Sequence, residues 1–150
     1  SMMYTADYKQ IAWGQAKGYK DFNWKDQNVF ALGAKMNGNG YWVGVGYNYA
    51  EDPIDTLDTG YANQATDLFN NHFFPGVVES HITFGGGYEL NKRMTIEGAI
   101  VYAPEVTKSV DTTAISGAFA AGYGAPAPAS SEHKVTHSQM GYTVSLRMNF

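Results

Sequence analysis

Residues 140–150 read MGYTVSLRMNF, and how that stretch is parsed decides the fold. Met140, Tyr142, Val144, Leu146, Met148 and Phe150 share one face of an extended strand, and Gly141, Thr143, Ser145, Arg147 and Asn149 share the other. The period of two holds to the last residue. The same alternation recurs upstream. Phe30, Leu32, Ala34 and Met36 oppose Val29, Ala31, Gly33 and Lys35; Tyr41, Val43, Val45, Tyr47 and Tyr49 oppose Trp42, Gly44, Gly46 and Asn48. Ile82, Phe84, Gly86, Tyr88 and Leu90 oppose His81, Thr83, Gly85, Gly87 and Glu89, and residues 94–103 repeat the pattern through Ile96, Ile100 and Tyr102. A sixth, less regular strand starts near Met3, with Tyr4, Ala6 and Tyr8 on one side.

Composition agrees with an all-β chain. Among 150 residues there are 17 Gly, 11 Tyr, 8 Phe and 3 Trp, and only 16% are charged. The length suits one domain, residues 1–150. Mean hydropathy is −0.32 and no apolar run approaches the ~18 residues of a membrane-spanning helix, which excludes a helical membrane protein. Strands of a transmembrane barrel alternate and escape that test. The absence of Cys excludes a disulfide framework and thiol chemistry, and a net charge of −4 argues against a nucleic-acid partner. Ser1-Met2 reads as a cloning remnant, with no signal peptide after it.

Connection lengths set the orientation. Residues 37–40, Asn-Gly-Asn-Gly, form the strongest hairpin signal, and Asn91-Lys92-Arg93 leaves room only for a turn. Before, between and after these lie long connections at 14–26, 51–79 and 104–132. The first has an aromatic rim (Tyr19, Phe22, Trp24). The second is acidic at its start, with a helical turn expected over 66–71 and Pro75-Gly76 to stop it. The third is rich in Ala, Gly, Ser and Pro and reads as a loop, with Pro104 closing the strand before it. Tight and long connections alternate strictly, as in outer-membrane barrels with short periplasmic turns and long extracellular loops. The strands run about ten residues, the length a tilted strand needs to cross hydrocarbon.

Alternation alone does not say which face meets lipid. No charge enters the apolar register of the five regular strands, whereas Lys35, Glu89, Glu97 and Arg147 occupy the other. That second register is also rich in Gly and Ala, unlike a water-facing exterior, and suggests a lumen in which something packs closely. Tyr41, Tyr88 and Phe150 then fall at the periplasmic interface and Tyr47, Tyr49 and Tyr102 at the outer one. The expectation is an antiparallel up-and-down transmembrane β-barrel portion of about six strands, with outer-membrane lipid as a partner.

Two resemblances extend this reading. The final strand, with Tyr142, Val144, Leu146, Met148 and the terminal Phe150, resembles the signal that the barrel-assembly machinery of Gram-negative outer membranes recognises. Trp24-Lys25-Asp26-Gln27 leading into residues 30–34, Gly46-Tyr47-Asn48-Tyr49 with Pro53-Ile54, residues 78–88 (VESHITFGGGY) and Val101-Tyr102-Ala103-Pro104 are similar, in order, to the C-terminal part of the outer-membrane long-chain fatty-acid and aromatic-hydrocarbon transporter family. That resemblance implies a larger barrel with an N-terminal plug that passes hydrophobic molecules sideways through its wall without an energy source. The chain departs from the pattern, since plug and upstream strands are missing. Natural outer-membrane barrels start at about eight strands, so the expectation is a piece of a longer chain, or one that self-associates through open edge strands.

Sites of chemistry are few. His133 and His137 are four apart, roughly 13 Å along a strand, too far for one metal. Ser80-His81 and His137-Ser138 point to opposite faces with no acid to orient the base, so no enzyme is expected. Gly85-Gly86-Gly87 lacks the Lys and hydroxyl residue of a phosphate loop, and no cofactor is expected. The functional expectation is a channel for passive uptake of hydrophobic molecules such as long-chain fatty acids, with Lys35, Trp42 and Arg147 facing the lumen: apolar wall for a tail, a cation for a carboxylate. Lys35, Glu97 and Arg147 pairing across the lumen is the competing use of those charges. Two alternatives stand beside it: a soluble lipocalin-like binder with Phe30, Leu32, Val43, Val45, Phe84 and Ile96 lining its cavity, and a structural outer-membrane barrel.

Overall fold

The computed structural model describes residues 1–57, 59–74 and 78–149. Six strands, β1 (Met2–Ile11), β2 (Gln27–Asn37), β3 (Tyr41–Ala50), β4 (Ser80–Asn91), β5 (Met94–Asp111) and β6 (Glu132–Met148), form one antiparallel sheet in the order of the sequence. Each strand pairs with its chain neighbour, so the sheet is up-and-down, and it is open, with β1 and β6 at its edges. Helix α1 (Tyr61–Phe73) lies between β3 and β4, and α2 (Thr113–Gly122) between β5 and β6.

The pairing register turns the sequence alternation into rows. Tyr4, Ala34, Val45, Phe84, Ile100 and Tyr142 lie opposite one another from edge to edge, and so do Met3, Lys35, Gly44, Gly85, Ala99 and Thr143. One face is therefore apolar and the other small or polar, because every strand enters the ladder in the same phase. In β3 exposure alternates residue by residue, with Tyr41, Val43, Val45 and Tyr47 exposed and Trp42, Gly44, Gly46 and Asn48 half-buried. Val43, Phe84 and Leu146 are 36%, 59% and 52% exposed.

At one end two tight turns join β2 to β3 and β4 to β5. Gly40 alone in the first turn takes a positive φ, 74°, and Tyr41 lies over Gly38, where a Cβ would collide with its ring. At the other end the chain builds outward. Pro104 does not end its strand. The β5–β6 ladder shifts register between Ala103 and Val106 and then continues to Asp111 opposite Glu132, so the irregularity absorbs the proline's missing donor. Of the expected loop over 104–132, the first part continues β5 to Asp111 and the next is α2, and residues 123–131 remain outside any strand or helix. The helical turn expected over 66–71 is likewise a 13-residue helix; its expected stop at Pro75-Gly76 lies outside the described residues.

Among the described residues, the buried side chains gather mostly at this outer end rather than between sheet layers: Val78, Ala103 and Val110 with Gln64, Asp67, Asn70, Asn71 and Thr112. Gly85, in the middle of the sheet, is buried as well. Gln64, Asp67, Asn70 and Asn71 lie on one side of α1 at helical spacing and dock it through hydrogen bonds. Trp24 Nε1 donates to Asn70 Oδ1 (3.2 Å), Asn70 Nδ2 to the Phe22 carbonyl (2.7 Å), and the Leu57 amide to Asp67 Oδ2 (2.9 Å). Gln64 bridges to α2, donating to Asp111 Oδ2 (3.0 Å) and accepting from the Ala114 amide (2.7 Å). Lys108 pairs with Asp52, fixing the 51–57 segment to the ribbon.

Candidate functional site

The small-residue face of the sheet carries two adjoining cavities. The central one, about 320 Å³, is lined by Met3, Thr5, Lys35, Trp42, Thr83 and Ala99 together with glycines of β2, β3 and β4. The second, about 240 Å³, lies at the tight-turn end and is lined by Tyr41, Trp42, Glu89, Thr95, Arg147 and the turn residues 37, 38 and 40.

Trp42 is the large side chain on this face, and glycine makes room for it. Its cross-strand partner is Gly87. A Cβ on Gly87 would stand 2.9 Å from the indole Cε2 and closer still to Nε1, so no other residue fits under the ring as it lies. Cβ atoms on Gly85 and Gly44 would reach ordinary contact with the same ring, at 3.6 and 3.8 Å. The Lys35 ammonium sits 4.4 Å from the ring centroid, a cation–π contact.

Of the three residues expected from the sequence, Lys35 and Trp42 are in contact, and Arg147 lines the tight-turn cavity with Trp42 while its charge is engaged by Glu97. Arg147 Nη2 donates to Glu97 Oε1 at 2.9 Å. Of the charges weighed for pairing across the face, Glu97 and Arg147 do pair, and Lys35 makes no ion pair among the described residues. The face therefore offers one unneutralised cation beside an apolar cavity and, further along, a neutralised pair. In the expected assembly strand Tyr142, Val144, Leu146 and Met148 are all exposed, and Phe150 lies outside the described residues. His133 and His137 both fall in β6, where His133 meets His72 of α1 with ring centroids 6.1 Å apart.

A second apolar feature occupies the outer end. Trp13, Tyr19 and Trp24 pack edge to face or tilted at 4.8 to 5.6 Å, Phe22 stacks on Phe69 at 5.0 Å, and Phe74 meets Trp24 at 5.3 Å. Between Tyr19, Phe22, Trp24, Phe69 and Phe74 lies an apolar cavity of about 270 Å³. Its half from the 14–26 connection is the expected aromatic rim. Its other half is Phe69 of α1 and Phe74, the residue that follows the helix.

Asp111 closes the outer end electrostatically. Its Oδ1 accepts from the Thr113 hydroxyl (2.5 Å) and amide (2.8 Å), and these bonds hold its carboxyl below the ordinary value of 3.8. No protein-family model, no curated protein and no solved structure matches the chain.

Proposed function

We propose that this sheet is part of the wall of an outer-membrane β-barrel that admits hydrophobic molecules, with fatty acids as the first class to test. One observation carries the reading. The row Tyr4, Val45, Phe84, Ile100 and Tyr142 crosses the sheet with every one of these side chains exposed, while the opposite face holds glycines, threonines, Lys35 beside Trp42 and the Arg147–Glu97 pair. Contiguous apolar patches beyond a few hundred Å² are rare on soluble monomers. A bilayer is the solvent that such a face suits, and a polar lumen is the usual use of the opposite one. Closure needs further strands, supplied by more chain or by a second copy at the β1 and β6 edges.

The similarity of residues 24–34, 46–54, 78–88 and 101–104 to the fatty-acid and aromatic-hydrocarbon transporter family supports the ligand class. The central cavity supports it independently: a mostly apolar lining with Lys35 at its edge suits an amphipathic molecule with an anionic head. In the lipocalin-like alternative Phe30, Leu32, Val43, Val45, Phe84 and Ile96 line the binding cavity; here all six are exposed, and of them only Val45 is among the residues around the central cavity.

The test is fractionation of the chain expressed with a secretion signal in a Gram-negative host. Recovery with outer membranes, extraction only by detergent, heat-modifiable gel mobility and co-purified acyl acids are the expected results. A monodisperse protein in detergent-free buffer would overturn the proposal.

A further inference from the structure

Trp42 belongs to both cavities of the small-residue face, and it is the one residue their linings share. The central cavity and the tight-turn cavity thus meet at its indole. Two features hold that ring across the face. The glycine at 87 leaves the indole a seat that any Cβ would fill, and the Lys35 ammonium caps the ring from the neighbouring strand at 4.4 Å. On the far side of Gly87 the same row continues to Glu97, which is occupied by Arg147.

We propose that Trp42 is the specificity-determining partition of this wall, with Gly87 as its positioning residue. The indole ends the central cavity and so sets how long an alkyl chain the site takes. This rests on the uptake reading above. An apolar chain lying along the face fills the central cavity first and then meets the ring. Removing the ring, or the seat that holds it, joins the central cavity to the tight-turn one. Each further methylene buried is worth about a fourfold gain in affinity, so the ring's position shows as the length at which affinity stops rising.

The experiment is isothermal titration of the chain in phosphatidylcholine nanodiscs with straight-chain alkanols of rising length, subtracting empty discs. Neutral alkanols leave Lys35's charge out of the comparison. The expected result is a plateau at one chain length in the natural sequence, and a plateau several carbons longer in Trp42→Ala. Gly87→Ala keeps the indole but evicts it from its seat, and the same lengthening is expected there. Because it acts through a different strand, it guards against a folding defect particular to the Trp42 variant. Equal plateaus in all three proteins would overturn the partition while leaving the uptake reading intact. Absence of saturable binding in all three, with sheet circular dichroism retained, would instead overturn the uptake reading and the partition with it.

Discussion

Arg147 and Glu97 show how little a visible ion pair needs to contribute. Their side chains are 60% and 29% exposed and joined by one 2.9 Å hydrogen bond. Pairs of this kind are worth roughly 0–1 kcal/mol, because solvent screens the attraction and ordering two long side chains costs entropy. A double-mutant cycle of Arg147→Met and Glu97→Gln in detergent-solubilised protein is expected to give a coupling under about 1 kcal/mol. Asn70 is the opposite case. It is 1% exposed, and its amide both accepts from Trp24 and donates to the Phe22 carbonyl. Asn70→Leu strips both partners inside a buried site, where each orphaned group costs about 1–3 kcal/mol. The expected outcome is faster hydrogen exchange over 61–73 and in the 14–26 connection, with exchange in β3 and β4 unchanged.

At the level of elements, the outer assembly has its own pH dependence. The Asp111 carboxyl, lowered by its bonds to Thr113, accepts the first amide of α2 and receives Gln64 from α1. Glu132, opposite it in the ladder, is lowered by the Ser109 hydrogen bond and by Lys134. A carboxyl whose folded value lies below its unfolded one adds stability above the unfolded value and loses it as pH falls through the folded value. Proteolytic protection of residues 123–131 is therefore expected to hold down to about the ordinary carboxylate range and to fail below it. Asp111→Asn is expected to lower protection at neutral pH and to flatten its dependence on acid.

The same elements mark where reading the sequence stops. The bounds of β2 and β3 are legible because a period of two and Gly-rich turns are local properties of the chain. Trp42 on the small-residue face is legible for the same reason, but its glycine seat is not, since only the register brings position 87 beneath it. Helix α1 is hard to see because its buried stripe is Gln64, Asp67, Asn70 and Asn71 rather than apolar residues, so its hydrophobic pattern points outward. Pro104 misleads because a ladder irregularity accepts a proline that a regular ladder would not. The Thr113–Gly122 helix is hidden in a segment whose alanines favour a helix but whose glycines and serines, read together with the rest, look like a loop.

For the molecule as a whole, the orientation of the two sheet faces is decisive. If the apolar face meets acyl chains, a charge placed there near the bilayer midplane costs about 2–4 kcal/mol, and the same charge one residue along costs little. Val144→Lys is therefore expected to lower the folding free energy in vesicles by that amount, and Thr143→Lys to leave it nearly unchanged. The open edges add a second consequence. The β1 and β6 edges carry unpaired backbone donors and acceptors, so the chain is expected to associate with itself unless further strands cover them.

The most direct measurement uses the absence of cysteine. Single cysteines placed in turn at His81, Ile82, Thr83 and Phe84, each carrying a nitroxide, report accessibility to oxygen and to a water-soluble nickel chelate in lipid vesicles. Oxygen accessibility high at 82 and 84 with nickel accessibility high at 81 and 83 is the expected result. The reverse pattern, nickel reaching 82 and 84 while 81 and 83 meet oxygen, would contradict it.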